Sequence, residues 1–470
     1  MCDVRWAPWG ALRVGACFAA AFAAAAAALF ALPRNPIVGL AIIGIPLVIV
    51  WIFVPRRADA APRWFMLFVW LFGFSDVLPY ALGLCLQLVA LMSGVVLWMS
   101  APARSRRGGA VFAWGCAILL YWGLAAALHP NVPDLETGLL GFRKSVLAVG
   151  GLLLGCALME KQSARAERTV IRAMVAVVAV SVVSHLWFPS LEQSISRDAD
   201  QYTALFNGEP RLQGILAGPF HASIAGVMLF LWGLLNLRSG TGAKWLRIAS
   251  VVLGLSAVYL SEVRSGYVVI AIALLVWVLI AKSGPAFALR SSAIILLGLI
   301  VWFTIKAGSV ENAALESLGN YSTDSRFLNR VPGYELSLQL FERSPVFGWG
   351  PGSAGGTLGP AFAGHEHVTP HNLVLVVLVE GGIIGLFLFL GLAVAWWRSL
   401  SVGTRQGQVA VVLVSALLGF GITGSAIDTI PVSYFILILA GTAVGFRKEL
   451  EGAIEPKPLE RQFSAVGGTN

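Results

Sequence analysis

Arg211, Arg264 and His371 each stand at the edge of a long apolar run. Arg211 lies in Glu209-Pro-Arg-Leu-Gln-Gly214, just before one run. Arg264 lies in Ser261-Glu-Val-Arg-Ser-Gly266, between two runs with almost no loop. His371 follows Thr369-Pro and opens a third. Two guanidiniums, an imidazole and the N-termini of the helices they would open suit an anionic phosphate group. The arginines would stabilise charge growing on a phosphate leaving group, and the histidine would take a proton from the attacking hydroxyl.

Each residue also has a plainer reading. Arg264 could pair with Glu262 and cap a tight hairpin, and Arg211 could be an interfacial arginine in a wet loop. His371 could be an interfacial histidine bonded to a neighbour, with Asn372 as a helix cap. Thr369-Pro-His371 resembles an N-cap followed by proline in the first turn. His371 at the positive end of that helix would stay neutral and able to accept a proton. Glu380 lies nine residues beyond His371. On one continuous helix it would sit ~13 Å deeper and point to the opposite side. Glu380 is therefore expected to be a structural or supporting group, separate from the histidine's site. Ala217-Gly-Pro-Phe-His221 reads as a broken helix start whose free N–H groups could line a cavity.

The elements that must position these residues are membrane spans. Of 470 residues, 57% are hydrophobic and 12% charged. The apolar residues come in continuous blocks of roughly 17–25, the length that crosses a bilayer as a helix. Unbroken blocks exclude a barrel, whose strands alternate. The spacing predicts an all-α polytopic membrane protein of about fourteen spans (12–14). They lie near 11–32, 36–54, 64–79, 80–100, 110–128, 140–158, 169–187, 214–237, 245–261, 265–282, 290–306, 371–396, 408–427 and 430–446. Most of the 33 basic residues fall on one set of connections, which places both termini in the cytoplasm. That distribution accounts for the net charge of +9 without a nucleic-acid partner. Residues 1–446 are then one transmembrane domain, with outer loops at 188–213 and 307–370. Residues 447–470 form a polar cytoplasmic tail, expected to be disordered.

The 307–370 loop is expected to hold a helix near 326–343, with Arg326 and Arg330 on one face. A Gly-rich tight turn follows at Gly348–Gly356, which lacks the preceding strand and the Lys-Ser/Thr of a nucleotide loop. Asp198-Ala-Asp200 is a weak metal signal with no further ligands nearby, and the five cysteines form no metal-binding pattern, so neither a metal nor a cofactor is expected.

From about 205 to 395 the chain resembles the bacterial O-antigen ligase and O-antigen polymerase family. The resemblance rests on Arg211-Leu-Gln-Gly214, Arg264-Ser265, and Ser325-Arg326 ahead of Ser344-Pro-Val-Phe-Gly-Trp-Gly350. It continues through His371-Asn-Leu, Glu380-Gly-Gly and Gly385. It implies an inverting, metal-independent membrane glycosyltransferase of the bacterial inner membrane, with a large periplasmic loop and a periplasmic active site. Such an enzyme takes a glycan from an undecaprenyl-diphosphate-linked donor and joins it to a sugar hydroxyl. By this resemblance Arg211 and Arg264 hold the diphosphate, Arg326 assists, and His371 activates the acceptor hydroxyl. The acceptor would be another glycan, as in a repeat-unit polymerase of O-antigen or exopolysaccharide, or lipid A–core, as in a ligase. Other polysaccharide-export proteins are possible partners. A flippase for lipid-linked glycan is the rival of another class. It would need polar residues through the midplane and paired repeats, and no repeat is visible.

Overall fold

The computed structural model describes residues 61–75, 80–100, 108–158, 160–190, 192, 205–206, 209–237, 243–281, 283–292, 294, 330–355, 362, 368–400, 402–424 and 426–445. The expected spans at 11–32 and 36–54, most of 290–306, Arg326, Asp198, Asp200 and the tail lie outside the described residues.

Backbone polar groups in lipid must bond within their own segment, so apolar runs become helices. They are α1 (Ala61–Gly73), α2 (Tyr80–Ser100), α3 (Gly109–Leu128), α4 (Leu135–Ala157), α5 (Glu160–Trp187) and α6 (Pro219–Asn236). These are followed by α7 (Lys244–Ser261), α8 (Arg264–Leu279), α9 (Val331–Arg343), α10 (Leu373–Ser399), α11 (Arg405–Thr423) and α12 (Val432–Thr442). Among the described residues the one strand pair is a two-residue antiparallel ladder, Leu205–Phe206 with Glu209–Pro210. The chain is thus an all-α polytopic membrane protein.

Among the described residues seven helices are long and apolar enough to cross a membrane. The most apolar of these is α10, 27 residues long, in which an 18-residue stretch has a mean hydropathy of 2.8. The expected run at 430–446 holds only the 11 residues of α12. That is ~16 Å, half a bilayer core. This helix is interior, with Tyr434 and Phe435 fully buried. It lies against α4, where Gly151 and Gly155 face the carbonyl oxygens of Tyr434 and Ile438 so closely that a Cβ would overlap them. Small residues let helix backbones approach in this way, and close packing replaces the hydrophobic effect as the glue in lipid.

Away from His371, the other ends of α5, α6, α7 and α11 meet in a buried polar clamp. Glu167, 5% exposed, accepts from Trp232 Nε1 at 2.7 Å and from Arg405 Nη2 at 2.8 and 2.6 Å. Arg405 also reaches the side-chain oxygen of Asn236. Arg247 Nη1 donates to the Asn236 carbonyl at 3.0 Å. A carboxylate this deep persists only when its charge and lone pairs are met.

Candidate functional site

The opposite end gathers the starts of α6, α8 and α10 and the ends of α7 and α11. The Leu212 N–H donates to Leu260 O at 2.9 Å, tying the segment before α6 to the end of α7. Gly266 at the start of α8 abuts Ser223 in the first turns of α6. Phe220 packs edge-on against Phe420 at 5.4 Å, and Asn372 Nδ2 donates to Ile422 O at 3.4 Å. Helix ends that are far apart in sequence therefore share one rim.

Arg211 and Arg264 stand on that rim, both half-buried. Arg211 precedes α6, and its Nε donates to Ser261 O at 3.0 Å. Arg264 is the first residue of α8. The chain turns there through Glu262, at φ 49°, so the two expected runs at 245–261 and 265–282 are separate helices. Neither α6 nor α8 has a side-chain cap: Gly218 precedes the one and Val263 the other. Their first N–H groups are thus not taken by a cap, as anion binding at a helix start requires. Ser223 Oγ, fully buried between these two helix starts, has no hydrogen-bond partner among the described residues.

His371 is placed differently from the expectation. Thr369 is not the N-cap. Helix α10 begins at Leu373, and Asn372 caps it by accepting from the N–H groups of Val374 (2.9 Å) and Leu375 (3.3 Å). His371 lies outside the helix in the left-handed region, at φ 46°. A side chain with a Cβ is rarely held there, and such strain, of order 1–3 kcal/mol, marks sites where position is over-determined. Burial, together with the nearby Arg330 guanidinium, lowers the imidazole pKa from 6.5 to about 4. The neutral form is favoured as expected, but by desolvation and a cation rather than by the helix end, which Asn372 occupies.

Arg330 is not on a helix face. It precedes α9, which starts at Val331, and its Nη1 donates to Thr423 O at the end of α11, at 3.0 Å.

The expected separation of Glu380 from His371 fails. Both line one pocket, together with Lys144, Ser145, Gly352, Thr369, Val376 and Asp428. It encloses about 490 Å³ of empty space, its mouth included. The angular argument assumed that the helix ran unbroken from His371. Because His371 stands two residues before the helix, its direction is set by the left-handed turn instead. Val376 and Glu380, four apart on α10, do share the face toward the pocket.

Glu380 is fixed by partners from three directions. It accepts from Gly352 N–H at 2.9 Å, Trp122 Nε1 at 3.4 Å and the Ser145 hydroxyl. The Gly352 contact belongs to the Gly-rich segment expected to be a simple tight turn. Instead, residues 344–355 enter a kink in α10 at Gly382 (φ 60°, ψ −158°). In an unbroken helix the N–H groups of Ile383 and Ile384 would bond to the carbonyls of Val379 and Glu380. Here Ile383 and Ile384 donate to Pro345 O (2.8 Å) and Val346 O (3.3 Å), while Trp349 and Gly350 donate to Val379 O (2.7 Å) and Glu380 O (3.0 Å). The loop replaces the helix's own hydrogen bonds one for one, so the kink leaves these four groups satisfied.

Lys144 and Asp428 are pocket residues that the sequence reading did not single out. Lys144 lies on α4, which packs against the 3₁₀ turn Ala426–Asp428 that carries the aspartate. Arg211 and Arg264 do not line this pocket. They lie on the neighbouring part of the rim.

A comparison with curated proteins gives no match. A comparison with family models matches residues 249–390 to the family described as O-antigen ligase. The matched segment holds Arg264, Arg326, the 344–355 loop, His371 and Glu380, and excludes Arg211, Lys144 and Asp428. Residues 249–390 are thus similar to the O-antigen ligase family, the one that the Arg264-Ser265, His371-Asn-Leu and Glu380-Gly-Gly motifs resemble.

Proposed function

We propose that the protein transfers a glycan from an undecaprenyl-diphosphate-linked donor to a sugar hydroxyl at the periplasmic face of the bacterial inner membrane. One observation carries this reading. A strained, neutral histidine opens onto a pocket edged by carboxylates, on the same rim as Arg264, which begins α8, and Arg211, which lies in the segment before α6.

The chemistry balances with these groups alone. The acceptor O–H gives its proton to the neutral imidazole of His371, and its oxygen attacks the anomeric carbon from the face opposite the diphosphate. The anomeric C–O bond breaks, and its electrons leave on the lipid diphosphate. Arg211 and Arg264, with the uncapped starts of α6 and α8, stabilise that charge. Arrival of the anionic diphosphate near His371 raises the imidazole's proton affinity toward neutral pH, where a general base works best. Asp428 and Glu380 orient acceptor hydroxyls by accepting from them. Arg326, by the family resemblance, assists at the diphosphate.

The acceptor we favour is a growing glycan, which makes the protein a repeat-unit polymerase. The second reading is a ligase onto lipid A–core, and the match at residues 249–390 is compatible with either. Deleting the gene and examining the surface polysaccharide tests both. Single repeats on lipid A–core indicate a lost polymerase, and long chains left on the lipid carrier indicate a lost ligase. Unchanged polysaccharide in the deletion, or in a His371→Ala strain, overturns the proposal.

A further inference from the structure

The segment from Arg211 to Gly218 has no regular structure, yet Leu212 and Gln213 are buried, at 0% and 4% exposed. Irregular backbone at a membrane rim survives only if other groups take its N–H bonds. That of Leu212 is taken by Leu260 O on α7, and those of residues 213–215 are taken by residues beyond the rim helices. Glu192 Oε1 accepts from Gln213 N–H at 2.9 Å and Gly214 N–H at 2.6 Å. Ser181 Oγ, on α5, accepts from Ile215 N–H at 3.2 Å. Glu192 is itself 8% exposed and fixed through its other oxygen, 2.8 Å from His185 Nδ1 on α5. Gly214, at φ 62°, lies so close to Ser181 that any Cβ would overlap it. The segment is therefore seated on the end of α5 by one carboxylate that bonds the second and third residues after Arg211.

We propose that Glu192 is the positioning residue for Arg211. Its carboxylate fixes the backbone that aims the guanidinium across to the α7–α8 turn, where Arg211 Nε meets Ser261 O. The proposal rests on Arg211 acting at the donor diphosphate and adds a residue outside the matched segment to that machinery. Burial opposes the charged form of Glu192, but the bonds from His185, Gly214 and Gln213 outweigh it and keep the carboxylate ionised. Glu192 is thus equipped to accept, and nothing on the carboxyl needs to donate.

The test uses the full chain in detergent, with lipid-linked glycan extracted from a strain lacking the gene as both donor and acceptor. Glu192→Gln keeps a carbonyl oxygen for both N–H groups and offers an N–H to His185. It is expected to transfer within a few-fold of wild type. Glu192→Ala removes the seat, and a misplaced transition-state ligand costs on the order of 100-fold in turnover. Hydrogen exchange should quicken in Glu192→Ala at the amides of Gln213 and Gly214 while α6 and α8 stay protected. Wild-type turnover in Glu192→Ala overturns the proposal. So does a loss accompanied by faster exchange throughout the bundle, because the role would then be general anchoring. Full turnover in Arg211→Lys would instead remove the functional reading of Arg211. That outcome is separate from either Glu192 result.

Discussion

Arg211 Nε donates to the carbonyl oxygen of Ser261 at 3.0 Å, so the arginine before α6 is tied to the turn that begins α8 with Arg264. The bond fixes the plane of the guanidinium, because Nε and both Nη atoms share it. A planar fork held in this way can meet two phosphate oxygens at once, whereas a lysine presents one point charge and cannot also hold Ser261. Arg211→Lys is expected to give folded, membrane-inserted protein with turnover reduced ~10²–10³-fold, the cost of losing one pre-organised donor at a developing anion. Transfer rates per folded molecule check this, and wild-type rates would sink it.

The left-handed His371 has a consequence for pH. Its imidazole pKa is about 4 when folded and 6.5 unfolded. Between those values the unfolded chain binds the extra proton, so stability is lost as pH falls from 6.5 toward 4. His371→Asn cannot titrate and accepts φ > 0 more readily than most residues. Thermal unfolding in detergent at pH 7 and pH 5 should show a smaller drop for His371→Asn than for wild type. Equal drops would mean that other groups set the acid response. His371→Asn should also be inactive at either pH, since its amide cannot serve as a base.

Gly382 is required by conformation and by space. Its φ of 60° disfavours a Cβ, and any Cβ would overlap the carbonyl of Val346 in the inserted loop. Gly382→Ala must either straighten the kink, which leaves the loop groups of residues 345–350 without partners, or expel the loop from a kink that persists, which leaves those of Val379, Glu380, Ile383 and Ile384 without partners. Unsatisfied groups in a membrane cost several kcal/mol each. The expected outcome is a large fall in the yield of folded protein, read by size-exclusion chromatography in detergent. A monodisperse, active Gly382→Ala protein would show that the loop insertion is dispensable.

Much of this was legible in the chain because the signals were local. Apolar runs bounded by polar residues placed the ends of α7, α8 and α10 within a few residues, since a helix in lipid has little alternative. Arg264 could be placed at a helix start because only Glu262 and Val263 separate it from the preceding run. The pocket was less legible. Lys144 is one basic residue on an apolar helix, and Asp428 lies far along the chain, so only the packing of α4 against residues 426–428 joins them. The error over Glu380 came from extending helical periodicity back through His371, when Asn372 was the true cap and the histidine had left the helix. Glu192 could not be read at all: its role is to bond backbone N–H groups, and backbone groups leave no trace in side-chain spacing.

The buried clamp at the far end of the bundle provides a control. Removing Arg405 leaves Glu167 with only Trp232, among the described residues, to meet its charge, and breaking a buried pair in this way costs about 3 kcal/mol. Arg405→Ala should therefore lower the thermal midpoint in detergent while each folded molecule transfers glycan at the wild-type rate, because the clamp holds the opposite ends of α5, α6 and α11 from the rim. A loss of turnover without a loss of stability would mean that the two ends are coupled.

Lys144 and Asp428 give the sharpest separation of donor from acceptor. Both line the His371 pocket and both lie outside residues 249–390. Arg211 and Arg264, which would bind diphosphate, lie outside that pocket. Asp428→Asn keeps shape and one acceptor oxygen but removes the charge, weakening bonds to sugar hydroxyls, which are strongest to ionised acceptors. It should raise the KM for acceptor about tenfold, equivalent to one charge-assisted hydrogen bond of ~1.4 kcal/mol, and leave the KM for donor unchanged. Lys144→Met, apolar and of similar length, should act in the same direction. A change confined to the donor KM would move the diphosphate into this pocket and transfer the acceptor to the arginine side of the rim.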